Sequence, residues 1–151
     1  AEKLADEEFM TVKLASVFLF SGFISDYNYE KHIEASLVAV EEILPRYGFG
    51  QSHIEEVRKL IRNSYDNKKD TASDNILHDA RYDYLGRVDY LKLTDKLWKE
   101  EMEYGKLHSR EEWSAIQRKL LIDHEFTTGT AKLLRSVPLE DQIAELRAYY
   151  A

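Results

Sequence analysis

His78 and Asp79 stand side by side in the stretch ILHDAR, Ile76 to Arg81, where a histidine is followed directly by an aspartate only once in the chain. An imidazole and a carboxylate are ligands that divalent and transition metals accept. A metal so held can lower the pKa of a bound water and produce a hydroxide nucleophile. On a helix, however, successive residues point about 100° apart and do not share a face. The pair is therefore not expected to grip one ion together unless the backbone is irregular there. Asp79 is the more informative member. It follows Ile76 by three residues and adjoins Ala80, which puts it on or beside an apolar stripe, where a carboxylate is costly unless paired or metal-bound. Two uses stay open for it: a metal ligand, or an acceptor of hydrogen bonds from a neighbouring helix or an arginine.

Other chemistries are excluded by what is missing. The sequence has no Gly-rich phosphate loop, no GxSxG and no HExxH. A di-iron bundle needs Glu three residues before a ligating His on two helices, and none of the five histidines (His32, His53, His78, His108, His124) has it. With no Cys there are no disulfides, zinc-thiolate sites, iron-sulfur clusters or cysteine nucleophiles. The net charge of -7 argues against a nucleic-acid surface, which needs a concentrated basic face, and against docking on anionic lipid. The local basic cluster Arg58, Lys59, Arg62, Lys68 and Lys69 is interleaved with acids and reads as a solvated helix face.

The elements that must position these side chains are helical nearly throughout. A chain of 151 residues suits one domain with a core large enough to fold unaided. Its most apolar run, Val12 to Ile24, is too short to span a bilayer, and acidic residues precede it, unlike a signal peptide. It reads as a buried helix from about Glu2 to Ser21, stopping near Gly22. A second helix is expected from Asn28, with Ile33, Leu37, Val40 and Leu44 along one stripe and a left-handed cap at Gly48. Ser52 to Glu55 has the form of a capping box that opens a third helix, whose apolar face is Ile54, Val57, Leu60 and Ile61. Asp66 to Asp74 is polar and turn-rich and reads as a loop. A short helix through ILHDARYDYLG should follow, stopped at Gly86, and another from Asp89 to Tyr104. A second capping box, Ser109 to Glu112, opens a helix through Trp113, Ile116, Leu120 and Leu121. Shorter helices are expected over 128–135 and 139–149. No alternating strand pattern, repeat or linker appears, so the expectation is a single all-α domain over 1–151, a bundle of about six to eight helices. The first residues, AEKLADEEFM, read as a helix already under way, as though an upstream segment were missing.

Several stretches, taken in order, resemble the HD-domain superfamily of metal-dependent phosphohydrolases, and within it the small stand-alone bacterial HD proteins. The matching pieces are SGFI (Ser21 to Ile24), HIEAS (His32 to Ser36), EEILPRYGF (Glu41 to Phe49), HIEEVRKLI (His53 to Ile61), ILHDARYDYLGR (Ile76 to Arg87) and the C-terminal EEWSAIQRKLL…HEFTTGTAKLLR. The resemblance implies the family's helical fold over nearly the whole chain. It also implies that Asp79 corresponds to the family's downstream acid and that His78 merely precedes it. The family's own His-Asp dyad belongs just before the GFI stretch, and those two positions hold Leu19 and Phe20, neither of which can bind a metal. The family's first metal histidine lies further upstream and has no counterpart here. His32 corresponds to a histidine that in some members helps line the site or hold a second metal.

His32 and Asp79 are thus the remnant metal positions, and two ligands are few for a stable divalent site. The expected function is a degenerate HD-family domain without metal-dependent hydrolysis, acting as a ligand-binding or interaction module, with an empty or apolar pocket near Asp79. The alternative is an active phosphohydrolase on a nucleotide or other phosphate ester, using Asp79 and His32 with further ligands among Asp26, Asp83 and His124. No cofactor is expected; under the alternative it is a divalent metal, Mn, Fe, Ni or Mg. The expected partner is a small phosphate-containing ligand or a protein, with no nucleic acid and no membrane, in the cytoplasm. The aromatic residues Tyr82, Tyr84, Tyr90, Trp98, Tyr104 and Trp113 read mostly as core, with a groove or homodimer surface as their other use.

Overall fold

A computed structural model describes residues 3–25, 28 and 31–151. Among the described residues the fold is all-helical and contains no strand. Eight α-helices follow one another: α1 Asp6–Phe18, α2 His32–Ile43, α3 Gln51–Tyr65, α4 Ala72–Arg81, α5 Tyr90–Glu103, α6 Arg110–Asp123, α7 Gly129–Leu134 and α8 Leu139–Tyr150. Two short 3-10 turns, Ser21–Ile24 and Leu44–Tyr47, extend α1 and α2. The chain forms two compact units, Ala1–Arg81 and Tyr82–Ala151. None of the described helices is long and apolar enough to cross a membrane.

In the first unit, α1 packs on α3 and α4, while α2 packs on α3 and on the Ser21–Ile24 turn. The stripe read for α3 is the one that is buried: Ile54, Val57, Leu60 and Ile61 all lie in the core. They meet Leu37, Val40 and Leu44 of the α2 stripe and Val12, Ala15, Phe18 and Leu19 from the α1 segment. Gly48 closes the turn after α2 with φ 82°, in the left-handed region, as expected of glycine at that place. Gly22 is required for another reason. A Cβ there would lie 1.8 Å from the carbonyl oxygen of His32, so the turn after α1 can cross the start of α2 only without a side chain.

Several helix starts differ from the expectation: α1 begins at Asp6 rather than near Glu2, and α2 at His32 rather than Asn28. α3 begins at Gln51 with Gly50 as its cap, and Ser52 makes no capping bond. α4 begins at Ala72, inside the segment read as a loop, because Thr71 and Asp74 form a reciprocal cap. The Asp74 amide donates to Thr71 Oγ1 at 3.1 Å and the Thr71 amide donates to Asp74 Oδ2 at 3.0 Å. Asp74 also accepts from Asn63 Nδ2 at 2.9 Å, which ties the start of α4 to α3. This helix ends at Arg81 rather than running on to Gly86.

The second unit has its own core of Leu85, Tyr90, Trp113, Leu121, Leu146 and Tyr150. The Ser109 cap of α6 is formed as read: Ser109 Oγ accepts from the Glu112 amide at 3.1 Å and the Ser109 amide donates to Glu112 Oε2 at 2.8 Å. Two of the aromatic groups that carry polar atoms are partnered inside this core. Trp113 Nε1 donates to Thr94 Oγ1 at 3.1 Å and the Tyr90 hydroxyl donates to Gln117 Oε1 at 3.3 Å. Burial keeps the Tyr90 phenol well above its ordinary pKa and pushes that of Tyr150 up to about 12. Tyr90 and Trp113 are buried; Tyr82, Tyr84 and Trp98 are half-buried, and Tyr104 is exposed.

Candidate functional site

His32 opens α2 and is completely buried. Its ring stacks on Phe23 from the preceding turn, centroids 3.9 Å apart and planes 8° from parallel. It meets the Tyr65 ring edge-on at 5.2 Å. His32 Nε2 lies 2.8 Å from the Tyr65 hydroxyl, which donates to the backbone carbonyl of Leu19 at 3.0 Å. The same carbonyl accepts from Ser36 Oγ at 3.4 Å, and Ser36 Oγ accepts from the Gly22 amide at 2.8 Å. A phenol carries one proton. With that proton on the Leu19 carbonyl, the phenol oxygen turns a lone pair toward His32 Nε2.

The positions where the resemblance expects a His-Asp dyad are built differently from each other. The Leu19 side chain is in the core, 2 % exposed, and only its carbonyl takes part in polar contacts. The Phe20 side chain is 48 % exposed and stacks on Phe23 at 6.3 Å. Phe20 therefore does not fill a cavity; the group placed between Leu19 and His32 is the Tyr65 hydroxyl.

Asp79 and His78 are both buried in α4, and His78 Nδ1 lies 3.6 Å from Asp79 Oδ1. This is closer than the divergence of consecutive helical positions led us to expect. Burial, reinforced by the nearby Lys69 charge, holds the His78 imidazole below its ordinary pKa, while its contact with Asp79 works in the opposite sense. Two residues on, Arg81 Nη1 donates to the Ser64 carbonyl at 2.9 Å, with the guanidinium 4.1 Å from the centre of the Tyr65 ring.

Three further ligands were considered, Asp26, Asp83 and His124. Asp26 lies outside the described residues. Asp83 and His124 belong to the second unit. Asp83 is held by Arg135 and also meets Arg87, at 3.4 Å. His124 packs its ring against Tyr82 and Phe126. Among the described residues no three His, Asp or Glu side chains are arranged to share a metal ion. Leu19 and Phe20, where the resemblance expects the dyad, offer only hydrocarbon side chains.

Tyr65 and Arg81 were not among the residues singled out from sequence. The signal for Tyr65 was present: positions 54, 57, 61 and 65 continue one helical stripe, so a tyrosine had to place its hydroxyl inside the unit. Arg81 carries no such signal, because it becomes relevant only through the packing of α4 on α3. No protein-family model matches the chain, and neither curated proteins nor solved structures provide a match.

Proposed function

We propose that the chain is a degenerate HD-type helical domain that serves as a binding or interaction module rather than a metal-dependent phosphohydrolase. The observation that carries this reading is the engagement of His32 Nε2 by the Tyr65 hydroxyl, beside a Leu19 whose side chain is core and whose carbonyl is the polar group. Metal-assisted hydrolysis needs several protein donors around the ion and an open position for water. Here Leu19 and Phe20 offer no donor at the dyad positions the resemblance implies, and His32 Nε2 is engaged by Tyr65. Support for a binding role comes from α1 and the turn after it, where the apolar side chains of Phe9, Val17, Phe20 and Ile24 are exposed. The partner class this reading admits is a protein or a small phosphate-containing ligand.

The test is elemental analysis of the untagged protein, purified without chelator and offered Mn, Fe, Ni and Mg in turn, alongside an assay for phosphate release from mono- and diesters. The expected result is no stoichiometric metal and no turnover. Stoichiometric metal that is lost in Asp79→Ala, together with ester hydrolysis, would replace this reading with that of an active phosphohydrolase.

A further inference from the structure

We propose that Tyr65 is a positioning residue whose hydroxyl locks His32 in its Nε2–H tautomer and ties the end of α1 to the start of α2. The inference rests on the proposed reading only in taking His32 as the histidine that remains of the family's site; the tautomer itself is argued from the hydrogen bonds. Three features of the geometry carry it. The hydroxyl lies 2.8 Å from His32 Nε2 and 3.0 Å from the Leu19 carbonyl, so one oxygen bridges two segments. The Leu19 carbonyl also receives Ser36 Oγ, and Ser36 in turn receives the Gly22 amide, so the bridge belongs to a chain of polar contacts running through the crossing of the turn and α2. The rings are fixed as well as the hydrogen bonds, with His32 between the face of Phe23 and the edge of Tyr65.

The proton assignment follows from donor counting. Tyr65 spends its single hydrogen on a carbonyl that can only accept, which leaves a phenol lone pair for the imidazole and fixes the hydrogen on Nε2. A neutral imidazole ligates a metal only through a nitrogen that carries no hydrogen, and the hydrogen bond made by one nitrogen decides which form the ring takes. Tyr65 therefore selects the form in which Nε2 donates and Nδ1 is the nitrogen without a hydrogen. The arrangement stabilises the join between α1 and α2 without any ion.

The experiment is nitrogen-15 NMR of the histidine rings in the full chain at neutral pH, without metal and with chelator present, on the wild type and on Tyr65→Phe. The expected wild-type spectrum shows His32 with a protonated Nε2 and an unprotonated Nδ1. In Tyr65→Phe that preference should be lost, with the two nitrogens moving toward averaged values, and the Tm should fall by about 2–8 °C. A wild-type His32 protonated on Nδ1, or a Tyr65→Phe spectrum unchanged at His32, overturns the proposal. The wild-type spectrum decides the matter alone if the variant does not fold. A separate melt of the wild type with Mn or Ni isolates the underlying reading: a metal-dependent rise in Tm would sink the degenerate-site reading, whereas the tautomer is read on metal-free protein.

Discussion

Arg81 lies over Tyr65, its guanidinium carbon 4.1 Å from the ring centre, while Nη1 donates to the carbonyl of the residue before that tyrosine, Ser64. One side chain at the end of α4 thus covers the ring of Tyr65 and satisfies a carbonyl in the last turn of α3, where the helix has no backbone donor left to offer. The contact joins the two helices at the same tyrosine that holds His32.

From this contact a first prediction follows. Arg81→Ala should lower the stability of the first unit by about 1–3 kcal/mol, the sum of a partly desolvated cation–π contact and a charge-assisted hydrogen bond to a carbonyl. Arg81→Lys should recover less than half of that loss, since an ammonium lacks the planar fork that can stack and donate together. Urea denaturation followed by circular dichroism measures both. A lysine variant as stable as the wild type would show that charge alone accounts for the contact.

Leu19 and Phe20, adjacent in sequence, should respond oppositely to truncation. Leu19→Ala removes a buried core side chain and should cost about 2–5 kcal/mol. Phe20→Ala removes a half-exposed ring and should cost about 1 kcal/mol or less. Thermal melts of the two variants decide this, and equal losses would mean that the Phe20 ring is covered in solution. The same asymmetry bears on rebuilding the dyad. Leu19→His would place an imidazole in the hydrophobic core, so it should destabilise the chain before it could offer a ligand.

The stability of the chain should fall on mild acidification through His78. Its folded pKa lies below the ordinary value of 6.5, because burial and then Lys69 oppose the charged form; Arg81 adds to that and Asp79 opposes it. Between the lowered folded value and 6.5 the unfolded chain binds more protons than the folded one, so stability rises with pH there. The contribution is complete above 6.5 and is lost as pH falls through the folded value. Urea midpoints measured from about pH 8 to about pH 5 should show a steeper decline for the wild type than for His78→Gln. Parallel curves would remove His78 from the acid response.

The success of the sequence reading followed how local the physics was. The α3 stripe of Ile54, Val57, Leu60 and Ile61 was legible because helical spacing alone decides which residues share a face, and all four are buried. The Ser109–Glu112 cap was legible because both partners lie within one turn. Ser52–Glu55 has the same form yet caps nothing, because Gly50 leaves the chain extended one step earlier and the helix is already under way at Gln51. The Thr71–Asp74 cap was hidden inside a polar run that resembles a loop, and what distinguishes it is Asn63, a partner on another helix. On α6 the apolar Ile116 is exposed while the polar Gln117 is buried, its amide oxygen accepting from the Tyr90 hydroxyl. For the candidate site, residue types at positions 19 and 20 showed what could not ligate. The role of Tyr65 depended on a bridge from α3 to the end of α1, which no spacing rule reports.

The missing side chain at Gly22 has a mechanical consequence. Backbone meets backbone there, with the Gly22 amide held by Ser36 and no room for a Cβ against the His32 carbonyl. No side chain at this crossing can swing aside to absorb a displacement. The turn that carries the exposed Phe20 and Ile24 is thus joined to the first residues of α2 through main chain rather than through side chains.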